Sequence, residues 1–188
     1  MPGPNQIQSK QEWDEQYAAG EWNFLEQLGE LGRYSLITGY IQHFCPKGEV
    51  LDVGCGTGLL AQRLVDSRIK KYTGIDLSSS AIEIAKSKIQ NSKMSFYNEN
   101  AAEYITDKKY DVVILNEVLY YIPDPDKQTL RYLEMLKPKG VLIVSNYREP
   151  GSCDECLEKL KALQIWKDNV SLKNSQGLTW ELLVTQKI

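Results

Sequence analysis

Gly54, Gly56 and Gly58 alternate with Cys55 and Thr57, and Asp52 stands two positions before the first of them. Glycines in such a run let the chain turn tightly and bring bare backbone against a ligand. A helix starting there offers free N–H groups as well. Dinucleotide-binding proteins use the same device, so the turn alone leaves the ligand open. Two details narrow it. The spacing is Gly-x-Gly-x-Gly, with Leu59 where a third dinucleotide glycine would stand. A carboxylate at Asp52 would oppose a pyrophosphate but suits a ligand carrying cationic groups. Asp76 closes the next run of strand character and can grip both hydroxyls of a ribose, a feature shared with NAD proteins.

The elements that must hold these residues alternate in type. Glu49–Val53 reads as a strand, and Leu59–Ser67 as a helix with Leu60, Leu64 and Val65 on one face. Lys71–Asp76 is a second strand. Ser80 and Glu83 have capping-box spacing ahead of a helix over Ala81–Asn91. Met94–Asn98 is a third strand, followed by a short helical piece near Ala101–Tyr104. Tyr110–Asn116 is apolar without alternation, as expected of a strand covered on both faces. Asp126 can cap a helix over Lys127–Leu136. Gly140–Asn146 is a fifth strand and Cys153–Leu163 the helix after it. Trp166–Lys173 and Leu178–Gln186 read as a closing antiparallel hairpin. The implied fold class is α/β: a doubly wound, Rossmann-like, mostly parallel seven-stranded sheet with its last strand antiparallel.

Residues 1–45 differ, with Trp13, Tyr17, Trp22, Phe24, Tyr34 and Tyr40 set among charged residues at helical spacing. They read as an N-terminal helical cap or lid on a core over residues 46–188, the whole forming one domain. The formal net charge of -3 argues against a nucleic-acid partner, which would favour a basic face. No apolar run has the length of a signal peptide or a membrane span. With four cysteines and no export signal, free thiols and a cytoplasmic location are expected.

Val50–Gly58 resembles the first motif of class I S-adenosylmethionine-dependent methyltransferases, and Thr73–Ser78 resembles their second. Phe96–Ala101 is similar to the third, with Asn100-Ala101 where family members usually carry Asp-Ala. Asn116–Pro123 resembles the fourth, and Leu136–Ile143 the segment entering the fifth strand. The resemblance implies S-adenosyl-L-methionine as cofactor and a set of roles. Asp52, Gly54 and Gly56 would surround its methionine part, with Cys55 a small filler in the same loop. Asp76 would bind the ribose and Leu77 would lie against the adenine. Asn100, with Ala101 beside it, would take the adenine amino group, and Asn116 would close the floor near the sulfur.

Methyl transfer from a sulfonium is an in-line displacement with an excellent leaving group, so alignment is the main requirement and no fixed triad need appear. Family members often carry a histidine two residues after the leucine of the fourth motif; here Tyr121 takes that position. Tyrosine is a poor base near neutrality, so Tyr121 is expected to line the acceptor pocket or orient the acceptor. His43, the single histidine, is expected at a helix end, away from chemistry. Cys153 and Cys156 lack a second pair for a structural zinc site, so no metal is expected.

Trp13, Tyr17 and Trp22, followed by Glu30, Arg33 and Tyr34, resemble the N-terminal region of nodulation-protein-S-like methyltransferases. That resemblance implies a cap closing on donor and acceptor. Arg33 could pair with the donor carboxylate, or with Glu30 on its own helix, and Tyr17 could add a hydrogen bond. Tyr17 and Trp22 could also wall a cationic amine. The leading reading is methylation of an amine or hydroxyl on a small molecule. An RNA- or protein-directed enzyme, or a non-catalytic donor-binding module, is the alternative.

Overall fold

The computed structural model describes residues 8–188; residues 1–7, which the sequence reading places in the cap, lie outside the described residues. Helix α1 spans Lys10–Ala18, a short 3-10 turn Asn23–Glu26, and α2 Leu28–Phe44. Strand β1 (Glu49–Val53), α3 (Leu59–Leu64), β2 (Lys71–Asp76), α4 (Ser79–Lys88) and β3 (Met94–Asn98) follow. The second half holds β4 (Tyr110–Asn116), a 3-10 turn (Leu119–Tyr121), α5 (Pro125–Glu134), β5 (Leu136–Tyr147), α6 (Ser152–Ala162), β6 (Asp168–Lys173) and β7 (Thr179–Gln186).

The strands form one seven-stranded sheet in the order β3-β2-β1-β4-β5-β7-β6. Pairs from β3 to β5 are parallel, and β7 runs antiparallel to both β5 and β6. The chain starts in the middle and winds outward in both directions. That leaves a crevice at the carboxyl ends of β1 and β4, where such sheets bind ligands.

Side chains alternate across each strand, which splits the core in two. Val50, Val112, Ile114 and Ile143 face one layer with α3 and α4; Leu51, Val113, Leu115 and Leu142 face the other with α5 and α6. Helix α2 belongs to the first layer, because Tyr34, Ile37 and Ile41 are buried there. Helix α1 buries no residue at all. The described residues up to 45 are therefore two things: α2 is a core helix, and α1 with its 3-10 turn rests on the surface. Helix α1 is held at its start by a full capping box between Ser9 and Glu12.

Several local expectations shift. Helix α4 is capped by Ser78, whose Oγ accepts the Ala81 N–H at 3.1 Å, so Ser80 lies inside the helix. Residues 101–104 make a turn and no helix, because the Asn100 carbonyl accepts both the Glu103 and Tyr104 N–H groups. Helix α5 starts at Pro125, which fits a first-turn position where no N–H is needed, and Asp126 is inside it. Strand β5 begins at Leu136, four residues before the expected Gly140, because Leu136 pairs with Tyr110 across a register shift.

Candidate functional site

The turn after β1 is fastened to β2: the Gly54 and Cys55 N–H groups both donate to the Ile75 carbonyl, at 2.8 and 3.0 Å. Gly56 needs its glycine twice over. Its φ is 51°, and a Cβ there would lie 2.9 Å from the Tyr17 hydroxyl of α1. The Cys55 side chain is buried against Gly74, and burial pushes its thiol far above the ordinary range. It is a filler, not a nucleophile.

Asp76, at the end of β2, clamps this turn. Its Oδ2 accepts the Gly56 N–H at 2.8 Å and its Oδ1 the Ser78 N–H at 2.9 Å. Burial pushes its carboxyl up to about 6 despite both donors. Asp52 lies deeper. Burial raises it to about 7, against the opposing hydrogen bond that the Tyr72 hydroxyl donates to Oδ2. Its Oδ1 is buried and has no partner.

The opposite wall comes from α2 and the end of β4. Arg33, only 2% exposed, donates from Nη1 to Asn116 Oδ1 at 2.5 Å and from Nη2 to Glu30 Oε2 at 2.7 Å. Its guanidinium carbon lies 4.5 Å from the Tyr34 ring centroid. Arg33 Nε has no partner. Arg33 thus pairs with Glu30, as one of its two readings has it, while its Nε remains an unfilled donor.

Glu117 follows Asn116 with φ at 60°, a left-handed conformation that a glutamate rarely adopts. Its Oε2 accepts the Tyr120 hydroxyl and the Tyr147 N–H, each at 2.9 Å, and its Oε1 accepts Ser145 Oγ. Burial raises its carboxyl, and the nearby Arg33 guanidinium opposes that rise. In the sequence, the one signal for Glu117 is its place directly after Asn116 in the segment resembling the fourth motif.

These walls enclose one cavity of about 470 Å³. Tyr17, Arg33, Asp52, Gly54, Cys55, Gly56, Asp76, Leu77, Asn100, Ala101, Asn116 and Tyr121 all line it. Asn100 Oδ1 already accepts the Ala102 N–H at 2.9 Å, so one of its bonding positions is committed to the turn. An aromatic group runs along one side, from Tyr17 beside Gly56 to Tyr121: Trp13 meets Tyr121 edge-on at 5.0 Å, and Trp22 lies 5.5 Å from Trp13 and 6.0 Å from Tyr17. Burial lifts the Tyr121 hydroxyl well above its usual range, and Glu117 adds to the rise, so it stays protonated.

Other candidates sit elsewhere or are inert. His43 packs edge-on against Phe44 in the last turn of α2 and does not line the cavity. Burial pushes the Cys153 and Cys156 thiols up to about 12. Among the described residues, no group of three or more His, Cys, Asp or Glu side chains is arranged to hold a metal ion.

The donor that the sequence motifs imply can be tested against two buried orphans. Asp52 Oδ1 lacks a hydrogen-bond donor and Arg33 Nε lacks an acceptor, and both residues line the cavity. An amino-acid end, with its ammonium and carboxylate, supplies one of each. The residues fit the methionine part of S-adenosylmethionine.

The sequence matches the family model described as "Methyltransferase domain" over residues 46–186. It is 33% identical over 131 residues to the ubiquinone biosynthesis O-methyltransferase of Rickettsia akari (strain Hartford), covering 67% of this chain and 52% of that protein. The chain spans about half the length of this curated relative. Its fold is similar to that of the N-methyltransferase NodS from Bradyrhizobium japonicum WM9 in complex with S-adenosyl-l-homocysteine. The TM-score is 0.81 at 19% identity, covering 95% of this chain and 97% of that one. Similar too is the 1,6-didemethyltoxoflavin-N1-methyltransferase of Burkholderia thailandensis, with a TM-score of 0.75, 17% identity, and 95% and 86% coverage.

Proposed function

Because the chain belongs to the class I S-adenosylmethionine-dependent methyltransferase family, we propose that it transfers a methyl group from S-adenosylmethionine to an amine or hydroxyl of a small molecule. The observation that carries this is the pair of unpartnered atoms, Asp52 Oδ1 and Arg33 Nε, in residues lining the cavity beside the glycine turn. S-adenosylmethionine supplies a methyl group on a sulfonium, with a neutral thioether as leaving group.

The protein's share is to bind, orient and exclude water. Asp76, already fixed by two backbone N–H groups, keeps further lone pairs for the ribose hydroxyls. Asn116 holds Arg33 so that its Nε can serve the donor carboxylate, while Asp52 Oδ1 takes the ammonium. Tyr17 lies against Gly56 and closes the turn from above. Trp13 and Tyr121 wall the acceptor side and shield the reacting atoms. Alignment of this kind can supply about 7–11 kcal/mol of the barrier.

The acceptor classes follow the relatives' names. The ubiquinone relative is an O-methyltransferase and NodS an N-methyltransferase, which keeps both hydroxyl and amine in the reading. The interior of the cavity is of small-molecule size, which supports a small acceptor over a nucleic acid. A cytoplasmic setting, part of the same reading, is supported by the four free thiols. Among the described residues, no helix is long and apolar enough to cross a membrane. Incubation with methyl-labelled donor and a panel of small amines and alcohols tests the proposal. Label should pass to at least one acceptor. Tight donor binding with no transfer to either class would make the domain a binding module.

A further inference from the structure

The cavity extends well past the residues of the donor motifs, and that extension has its own chemistry. Its apolar walls are Trp13, Trp22, Phe24, Tyr121 and Trp180. The charged groups on it are Glu30, Arg33, Glu117 and Glu149. Glu30 and Arg33 are an ion pair at 2.7 Å and cancel. Glu117 and Glu149 enter no ion pair among the described residues. Arg33 also lies near Glu117, yet this one guanidinium faces three carboxylates, and among the described residues no other Lys or Arg lines the cavity, so the aromatic compartment carries a surplus of acidic groups.

A hydroxyl acceptor gains nothing from such a surplus. Ionising it would add negative charge beside these carboxyl groups, a like-charge arrangement that opposes proton loss. A cationic acceptor gains twice, from the carboxylates and from the negative faces of the aromatic rings. The backbone at Glu117 adds weight. A glutamate held in the left-handed region, with three donors fixing its two oxygens, is kept in place at a cost that ordinary packing does not require.

We infer that the acceptor is a primary or secondary amine borne on a planar or apolar body and bound as its ammonium, with Glu117 and Glu149 as specificity-determining residues. The inference rests on the proposed methyl transfer and narrows its acceptor. The ammonium gives up one proton to water at the mouth beside exposed Glu149. The freed nitrogen lone pair then forms the new N–C bond as the S–C bond breaks, and the sulfur keeps that electron pair. The product leaves as a methylated ammonium beside a neutral thioether.

The test uses the full chain saturated with S-adenosylhomocysteine, whose binding is established first by calorimetry. Absence of that binding overturns the donor site itself, a failure separate from the one tested next. The loaded protein is then titrated near neutral pH with 2-phenylethylamine and with 2-phenylethanol, which share a body and differ in the charged group. The amine should bind about tenfold more tightly, and Glu149→Gln should reduce that preference by up to about fivefold, the scale of a solvent-exposed charge pair. Glu117→Gln should reduce it further; if that variant fails to fold, Glu149→Gln still decides. Equal binding of the two probes, tighter binding of the alcohol, binding of neither, or a preference untouched by Glu149→Gln would overturn the inference.

Discussion

Arg33 of α2 and Asn116 of β4, 83 residues apart in sequence, are joined by a 2.5 Å hydrogen bond that fixes a buried guanidinium over the mouth of β1. The bond ties the N-terminal helical region to the strand that ends at the cavity. It leaves Nε unfilled on a side chain that is only 2% exposed. Arg33→Met should therefore weaken S-adenosylhomocysteine by about 1.5–3 kcal/mol, the scale of a charge-assisted hydrogen bond. It also strands Glu30 and Asn116, so stability should fall too, and thermal melting of the ligand-free variant separates the two effects.

Asp76 holds the glycine turn through Gly56 and faces the cavity as well. Asp76→Ala should weaken the donor by about 1–3 kcal/mol, the range for losing a buried polar partner. Asp76→Asn keeps an acceptor oxygen and should recover part of the loss. Equal affinity in wild type and Asp76→Ala, read by calorimetry, would move the ribose to other residues.

The raised carboxyls give donor affinity a pH dependence with a definite sign. Asp76 at about 6 and Asp52 at about 7 are both lifted chiefly by burial. In the ligand-free protein the folded state keeps protons that the unfolded chain has already released, so these two groups stabilise at low pH and lose that contribution as pH rises through 6–7. Donor binding calls on their ionised forms and so favours proton release. Affinity should rise between about pH 5.5 and about pH 8, and the donor-induced shift in melting temperature should be larger at the higher pH. A flat profile would mean that neither carboxyl titrates on binding.

Asp14 anchors α1 to the start of α4. Its carboxylate accepts Ser78 Oγ at 2.7 Å, Ser79 Oγ at 2.9 Å and the Ser80 N–H at 3.0 Å. Burial opposes the charge, yet the Ser80 N–H, the serine hydroxyls and the Lys10 ammonium together outweigh it and hold this carboxyl well below the usual carboxylate range. Because α1 buries no residue, this clasp is its main polar tie to the core. Asp14→Ala should speed donor dissociation about fivefold, the effect of losing about 1 kcal/mol of capping. The global melting temperature should barely move, since the core layers are untouched. Stopped-flow release of donor, read beside a melting curve, checks both halves.

Much of this was legible locally. Strand–helix alternation, the glycine turn and Asp76 are patterns within a few residues, and the seven strands and the glycine turn lie close to where period and spacing placed them, while several element ends shift. The residues that the motif resemblance names line one cavity for the same reason. What escaped depends on contacts between distant segments. The start of α4 is bound by Asp14, 64 residues earlier, which accepts from Ser78, Ser79 and Ser80. Glu117 gains two of its three donors only when β5 brings Ser145 and Tyr147 beside it. Tyr34, Ile37 and Ile41 read as part of a cap until the sheet supplies the surface that buries them.

The most direct test of the account is calorimetric titration of the purified chain with S-adenosylmethionine. One site with dissociation in the micromolar range, about -8 kcal/mol, is expected from a cavity that supplies partners to the amino-acid end and the ribose. Absence of any heat at millimolar donor, from protein that melts cooperatively, would contradict it.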